Sequence, residues 1–367
     1  MLAPRSMAWL RAGALLWIGL LAGFAGGIEW IRSRPRVPEP SGGIDLVGAG
    51  ATFPYPLYRR WFAEYATATG VRINYFSLGS GEGIRLLLED EVDFGATDRP
   101  LRADESARAT CGPLILPMVL GNIAVVVNLP GVAAPLHLDA DALAAIYRGV
   151  VTTWDAPSLR RLNPGVRLPA LPIQAVRRAR SSGTSTVFAQ YLSSAAGWPV
   201  RSGNAETEWP VGDAVEGNEG VAAQVRATPG AIGFVEQAYA TQSRLTIAAL
   251  RNAADHFVLP DSASLATTIR DLVGSAIPDT LAGLIGAGSA QAYPVVAITR
   301  LVADRALGDA HRAGHFLAFA RWAIIEGGPA ATALGFAPLP TLAASDVRRR
   351  LDRVVPGRCP MASEMTR

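Results

Sequence analysis

The chain has 367 residues, half of them hydrophobic and 18% charged. That excludes a disordered polypeptide and allows one large core or two of about 100–200 residues each. All 34 basic residues are arginines without a clustered stripe, which argues against a nucleic-acid partner, and a net charge of +3 suits an anionic ligand without requiring one.

The chain opens with Arg5 and Arg11 ahead of an uncharged apolar run, Ala12 to Ile28. That run is longer than a usual signal-peptide core and just short of the about 20 residues that span a bilayer. Segment 1–36 is therefore expected to be a signal peptide or membrane anchor, with a possible cleavage after Ala25. No cysteine follows the apolar run, so a lipoprotein anchor is unsupported. The Pro-rich residues 37–43 are expected to be a linker.

From Ile44 the pattern alternates between strand and helix signals. Strand-like Ile44–Val47 leads through Gly48-Ala49-Gly50-Ala51-Thr52-Phe53-Pro54 into an amphipathic run from Leu57 to Tyr65. Strand-like Ile73–Ser77 leads through Leu78-Gly79-Ser80-Gly81-Glu82-Gly83 into helical Ile84–Leu88, and Val92–Ala96 reads as a strand ending at Thr97-Asp98. Such alternation predicts βαβ units and a parallel sheet. Further strands are expected over Leu114–Val119, Asn122–Val127, Gly230–Val235 and Tyr293–Ile298. Helices are expected near Leu143–Gly149, after the loop Gly217–Gly220, and over Phe316–Glu326.

The segment Arg178-Ala179-Arg180-Ser181-Ser182-Gly183-Thr184-Ser185 precedes another helical run, Thr186–Leu192. A guanidinium fork, four hydroxyls and the free N–H groups of a helix start can all donate to an anion. Taken alone, the octapeptide reads first as an ordinary Ser/Thr helix cap. Three such donor-rich helix starts and one acid at a strand end exceed what capping requires.

Catalytic and metal motifs are weak. The Ser80 loop lacks the glycine spacing of a nucleophile elbow, and with no lysine it is no Walker loop. His311 and His315 have i, i+4 spacing with no acid between them, so no metal is assigned, and no cofactor is expected. The scattered tryptophans and tyrosines read as core. Cys111 and Cys359 are far apart, and their count leaves a disulfide and two unrelated thiols equally open.

Six motifs in order, GAGATFP, GSGEG, DFGATD, RARSSGTS, GNEGVAA and PGAIGFVE, give the chain a wider resemblance. Over roughly residues 44 to 345 it resembles the periplasmic phosphate-binding protein of the high-affinity phosphate ABC importer. The resemblance implies an α/β two-lobe periplasmic-binding-protein fold with a ligand cleft between lobes and two crossover segments, near 114–120 and 292–298. Lobe 1 would hold 44–117 plus 297–360, and lobe 2 residues 118–296. It further implies an exported monomer, not an enzyme, that captures inorganic phosphate in the periplasm and delivers it to a membrane permease. The alternatives are a membrane-anchored phosphate sensor or accessory protein and a phosphoester hydrolase on the same fold.

Residue by residue, the family's phosphate ligands fall on Thr52, Phe53, Ser80, Asp98, Arg178, Ser182, Gly183 and Thr184. Arg178 would supply the formal positive charge, and Asp98 the acceptor that admits monohydrogen phosphate and rejects sulfate. The chain departs from the family at Arg180, where an aspartate usually stands. The layout also puts Cys111 and Cys359 in one lobe, which implies a disulfide in the oxidising periplasm.

Overall fold

The structure, a computed structural model, describes residues 43, 45–132, 134–179, 181–199, 208–273, 276–281, 283–306 and 309–359. The expected export segment, the linker up to residue 42 and Arg180 lie outside the described residues. The chain divides at Gly43, and the unit from Ile44 onward carries the fold.

Fourteen strands are present among the described residues: β1 Leu46–Gly50, β2 Ile73–Ser77, β3 Phe94–Thr97, β4 Pro113–Val127, β5 His137–Leu138, β6 Gln174–Arg178 and β7 Asp213–Val215, followed by β8 Ala231–Glu236, β9 Thr246–Ile247, β10 Ala249–Arg251, β11 Phe257–Val258, β12 Gly283–Ile285, β13 Val295–Asp304 and β14 Ala337–Pro338. The main sheet runs β2-β1-β3-β13-β4-β8-β6-β7. β5, β10 and β11 form a small second sheet.

Each half of the main sheet is the parallel layer predicted by strand–helix alternation. β1 pairs in parallel with β2 and β3, and β6 pairs in parallel with β7 and β8. Two antiparallel strands join the halves. β4 pairs with β13 from Pro113 to Asn122, then with β8 from Ile123 to Val127. A single 15-residue strand thus belongs to both lobes of the fold.

The sequence suggests a break between Val119 and Asn122, and none exists. Gly121 lies inside β4 because its missing Cβ leaves room for two rings. A Cβ there would come 2.9 Å from the Phe53 ring and 3.0 Å from the Phe336 ring. This glycine marks a close approach rather than a strand end. The helix expected over Phe316–Glu326 likewise begins earlier than expected. It runs Ala310–Ile325, because Asp309 caps it by accepting from the backbone N–H of His311 and Arg312.

Helix Tyr55–Thr69 turns Tyr58, Trp61, Phe62 and Tyr65 inward at helical spacing. These rings pack against Tyr75 and against Phe319 and Trp322 of helix Ala310–Ile325. In the other half, Tyr147, Phe188, Trp209 and Phe234 form a second aromatic cluster. Helix Ser80–Leu88 seats directly on β1, since a Cβ on Gly83 would fall 2.3 Å from the Gly50 Cα. Cys111 and Cys359 are joined as a disulfide with Cα atoms 5.0 Å apart, tying the turn before β4 to the segment after helix Thr341–Asp352.

Candidate functional site

The expected site residues lie at the carboxyl ends of strands or at the helix starts that follow, where open α/β sheets bind ligands. Thr52 follows β1, Asp98 follows β3, and Arg178 is the last residue of β6. Ser80 opens helix Ser80–Leu88, and Gly183 opens helix Gly183–Ala196. Two of these positions start helices, where backbone N–H groups point outward.

These ends meet across the two halves. Arg178 Nη1 donates to the Thr52 hydroxyl oxygen at 3.0 Å. The same oxygen accepts from Asn218, through its side-chain amide at 2.8 Å and its backbone N–H at 3.2 Å. The Tyr239 hydroxyl donates to the Thr52 carbonyl at 2.7 Å. The backbone N–H of Gly81 donates to the Ser181 carbonyl at 2.9 Å, and Ser181 sits at a φ of 65° to present it. Gly183 lies against the opposite half so closely that a Cβ would fall 2.4 Å from the Ser80 Oγ and 2.8 Å from the Asp98 Cβ.

Asp98 is 1% exposed and held on two sides. Its backbone N–H donates to the Ser80 Oγ at 3.1 Å, and its Oδ1 accepts from the Thr299 hydroxyl at 2.8 Å. Burial pushes the carboxyl up to about 7, against the pull of the Thr299 hydroxyl, Arg178, Arg300 and Ser80. Arg178 is 3% exposed, and burial lowers its pKa while Glu219, Asp98 and Glu216 raise it. Among the described residues its Nε has no hydrogen-bond partner, and neither do the buried hydroxyls of Thr184 and Ser185. Buried donors without partners are uncommon, and a cluster of them suits a bound acceptor.

Not every expected residue contributes in the same way. Phe53 sends its ring into the core against Phe336, so only its backbone is placed to serve a ligand. The Ser182 Oγ accepts from the Ser185 N–H at 3.2 Å, which is the capping role considered from sequence.

Five further residues went unassigned from sequence. Asn218 lies in the quoted GNEGVAA motif, whose single amide side chain was the available signal. Thr299 and the fully buried Arg300 come from β13, distant in sequence from Asp98. Burial lowers the Arg300 pKa to about 10, with Asp279 and Asp98 opposing the shift. Tyr239 and the buried Glu236 complete the group. The Glu236 carboxyl is pushed well up by burial, while its Oε2 accepts from the Ala238 N–H at 2.7 Å.

The site therefore offers a guanidinium, several hydroxyls and helix-start N–H groups facing one carboxyl of unusually high proton affinity. That set has the chemistry to hold a tetrahedral oxyanion carrying a proton, which would accept from the donors and donate its own O–H to Asp98.

A profile of the PBP superfamily domain matches residues 37–326. The chain is 36% identical over 311 residues to a phosphate-binding protein PstS of Xylella fastidiosa, covering 84% of this chain and 85% of that one. It is 31% identical to the PstS of Methanocaldococcus jannaschii, covering 87% of this chain and 88% of that one. Among solved structures it is similar to a high-affinity periplasmic phosphate-binding protein, PfluDING, bound with phosphate. The TM-score is 0.65 at 22% identity, covering 83% of this chain and 93% of that one. A phosphate-binding protein from Stenotrophomonas maltophilia gives a TM-score of 0.63 at 20% identity, covering 83% and 93%.

Proposed function

The chain belongs to the PstS phosphate-binding proteins of the PBP superfamily, and on that footing we propose that it closes on inorganic phosphate and hands it to an ABC importer. The observation that carries this reading is the meeting of Arg178 and Thr52 across the cleft, beside the buried Asp98. In this reading Thr52, the Phe53 backbone, Ser80, Asp98, Arg178, Ser182, Gly183 and Thr184 form the phosphate cradle. The work is capture and release rather than turnover. The protein acts as an exported monomer, and its further partner is the importer's membrane permease.

Arg178 supplies the formal positive charge in the cradle, and its planar fork matches two oxygens of one anion. Asp98 sets specificity. Monohydrogen phosphate donates its proton to the carboxylate, whereas sulfate has no proton to give and faces a buried like charge. A carboxylate left unpaired against an anion costs several kcal/mol, or roughly a thousandfold in discrimination. Asn218 and Tyr239 act one step back, since both fix Thr52 when the halves are together.

Calorimetric titration with phosphate, arsenate and sulfate tests the reading. Phosphate and its shape mimic arsenate are expected to bind and sulfate to be excluded. Equal affinity for sulfate, or no heat with phosphate, would overturn it.

A further inference from the structure

On the outer face of helix Ala310–Ile325 the Nε2 atoms of His311 and His315 lie 3.0 Å apart, with ring planes at 79°. Two imidazoles bound to one metal at 2.0–2.1 Å hold their nitrogens about 2.9 Å apart at a right angle and about 3.4 Å apart at the tetrahedral angle. The observed separation falls within that range. One helical turn, i to i+4, sets it without help from any other element. His311 is exposed and His315 half-buried, so the shared edge is open to solvent.

The charges around the pair favour a cation. Asp309 lies two residues before His311 and holds the helix start. Arg312, the neighbouring cation, is occupied by Asp93 at 3.1 Å. On the face of the helix that carries Arg312, Ala313 and Phe316, a cavity of about 150 Å³ that neither histidine lines is bordered by Asp90, Asp93, Asp304 and Asp309, with Arg312 its single basic lining residue. Among the described residues no third histidine, cysteine or carboxylate joins the pair closely enough to complete a protein cage. Water would fill the remaining positions.

We propose that His311 and His315 form a two-imidazole chelate for a borderline divalent transition cation such as Cu(II), Ni(II) or Zn(II), separate from the phosphate cradle. Nitrogen ligands with open water positions suit these ions, and Cu(II) binds tightest of the series. Each ring binds through a deprotonated Nε2, so the cation displaces the hydrogen that otherwise lies between the two nitrogens.

The test is Cu(II) titration of the purified protein at about pH 7.5, above the ordinary histidine range. Affinity is read by calorimetry and the ligand count by the nitrogen hyperfine pattern in electron paramagnetic resonance. The parent protein is expected to take one equivalent with two imidazole nitrogens. His311→Gln and His315→Gln should each weaken binding by on the order of tenfold or more, because the second ring acts as a tethered ligand. The double variant should lose the site and keep its phosphate affinity. The other two histidines of the chain, His137 and His256, stay in place as internal controls. Absence of Cu(II) binding by the parent, single variants that bind like the parent, or a double variant with the parent's spectrum would each overturn the proposal.

Discussion

Gly183→Ala isolates lobe closure from folding. The added Cβ would stand 2.4 Å from the Ser80 Oγ, 2.8 Å from the Asp98 Cβ and 3.0 Å from the Asp98 backbone nitrogen. Ordinary contact begins near 3.4 Å, and all three atoms belong to the facing half. Ser80 cannot swing away freely, because its Oγ accepts from the Asp98 N–H. The strain is therefore relieved by holding the halves ajar. Overpacking of this kind costs about 1–3 kcal/mol, which corresponds to roughly fivefold to a hundredfold weaker phosphate binding. In the proposed cycle the halves part when phosphate leaves, which removes the clash, and alanine suits a helix start at least as well as glycine. Its melting temperature without phosphate should therefore match the parent's, while the increment added by phosphate shrinks. Gly83→Ala is the contrast. Its Cβ would meet the Gly50 Cα at 2.3 Å and the Ala49 carbonyl at 2.5 Å, both within one half, so it should lower stability with or without phosphate. Calorimetry and thermal melts on the two variants decide the matter. A Gly183→Ala protein that binds phosphate within about twofold of the parent would refute closure at this contact.

Other variants probe the charges and the crosslink. Arg178→Ala should weaken phosphate binding at least tenfold, since a charge-assisted contact contributes about 1.5–3 kcal/mol, and unchanged titration would remove this arginine from the cradle. Asp98→Asn should raise sulfate affinity more than it alters phosphate affinity, read by competition titration, and persistent exclusion of sulfate would show that specificity lies elsewhere. The Asp98 carboxyl holds its proton up to about 7 in the folded, ligand-free protein and releases it near 3.8 when unfolded. Its stabilisation is thus full below about pH 4 and lost as pH rises through 7, and melts of the Asn variant in phosphate-free buffer should lack that slope. Alkylation under denaturing, non-reducing conditions should find no free thiol at Cys111 or Cys359, and reduction should cost about 2–5 kcal/mol of stability.

Local pattern made part of the fold legible. The alternation of apolar runs with Gly-rich loops marks β1 to β3 and their helices, because each unit folds through near neighbours. Element ends were less legible. Helix Tyr55–Thr69 begins two residues before the expected Leu57, with Pro56 in its first turn, where a fixed φ is suited. The continuity of β4 was hidden for another reason. Gly121 signals a turn when read locally, and only the distant Phe53 and Phe336 rings explain why a strand needs a glycine there.

The cradle divides along the same line. Thr52, Ser80, Asp98, Arg178 and Gly183 stand at strand-to-helix transitions that local composition announces. Thr299 and Arg300 carry no such signal, since they sit inside an apolar strand whose meaning depends on its partners. β13 runs antiparallel between β3 and β4, pairing Arg300 with Thr97 beside Asp98. Its ladder with β4 slips between Thr299 and Arg300, where Arg300 faces Pro117, a residue with no N–H to donate. That register brings the Thr299 hydroxyl to the Asp98 Oδ1. The two carboxylate oxygens are thereby made inequivalent. With Oδ1 engaged inside the protein, the acceptor role toward the ligand's proton falls to Oδ2. Thr299→Val should therefore loosen the aim of Asp98 and raise its proton affinity further, eroding phosphate binding first at the acid end of the pH range. Titrations at a series of pH values check this, and a parallel loss at every pH would argue that Thr299 serves packing alone.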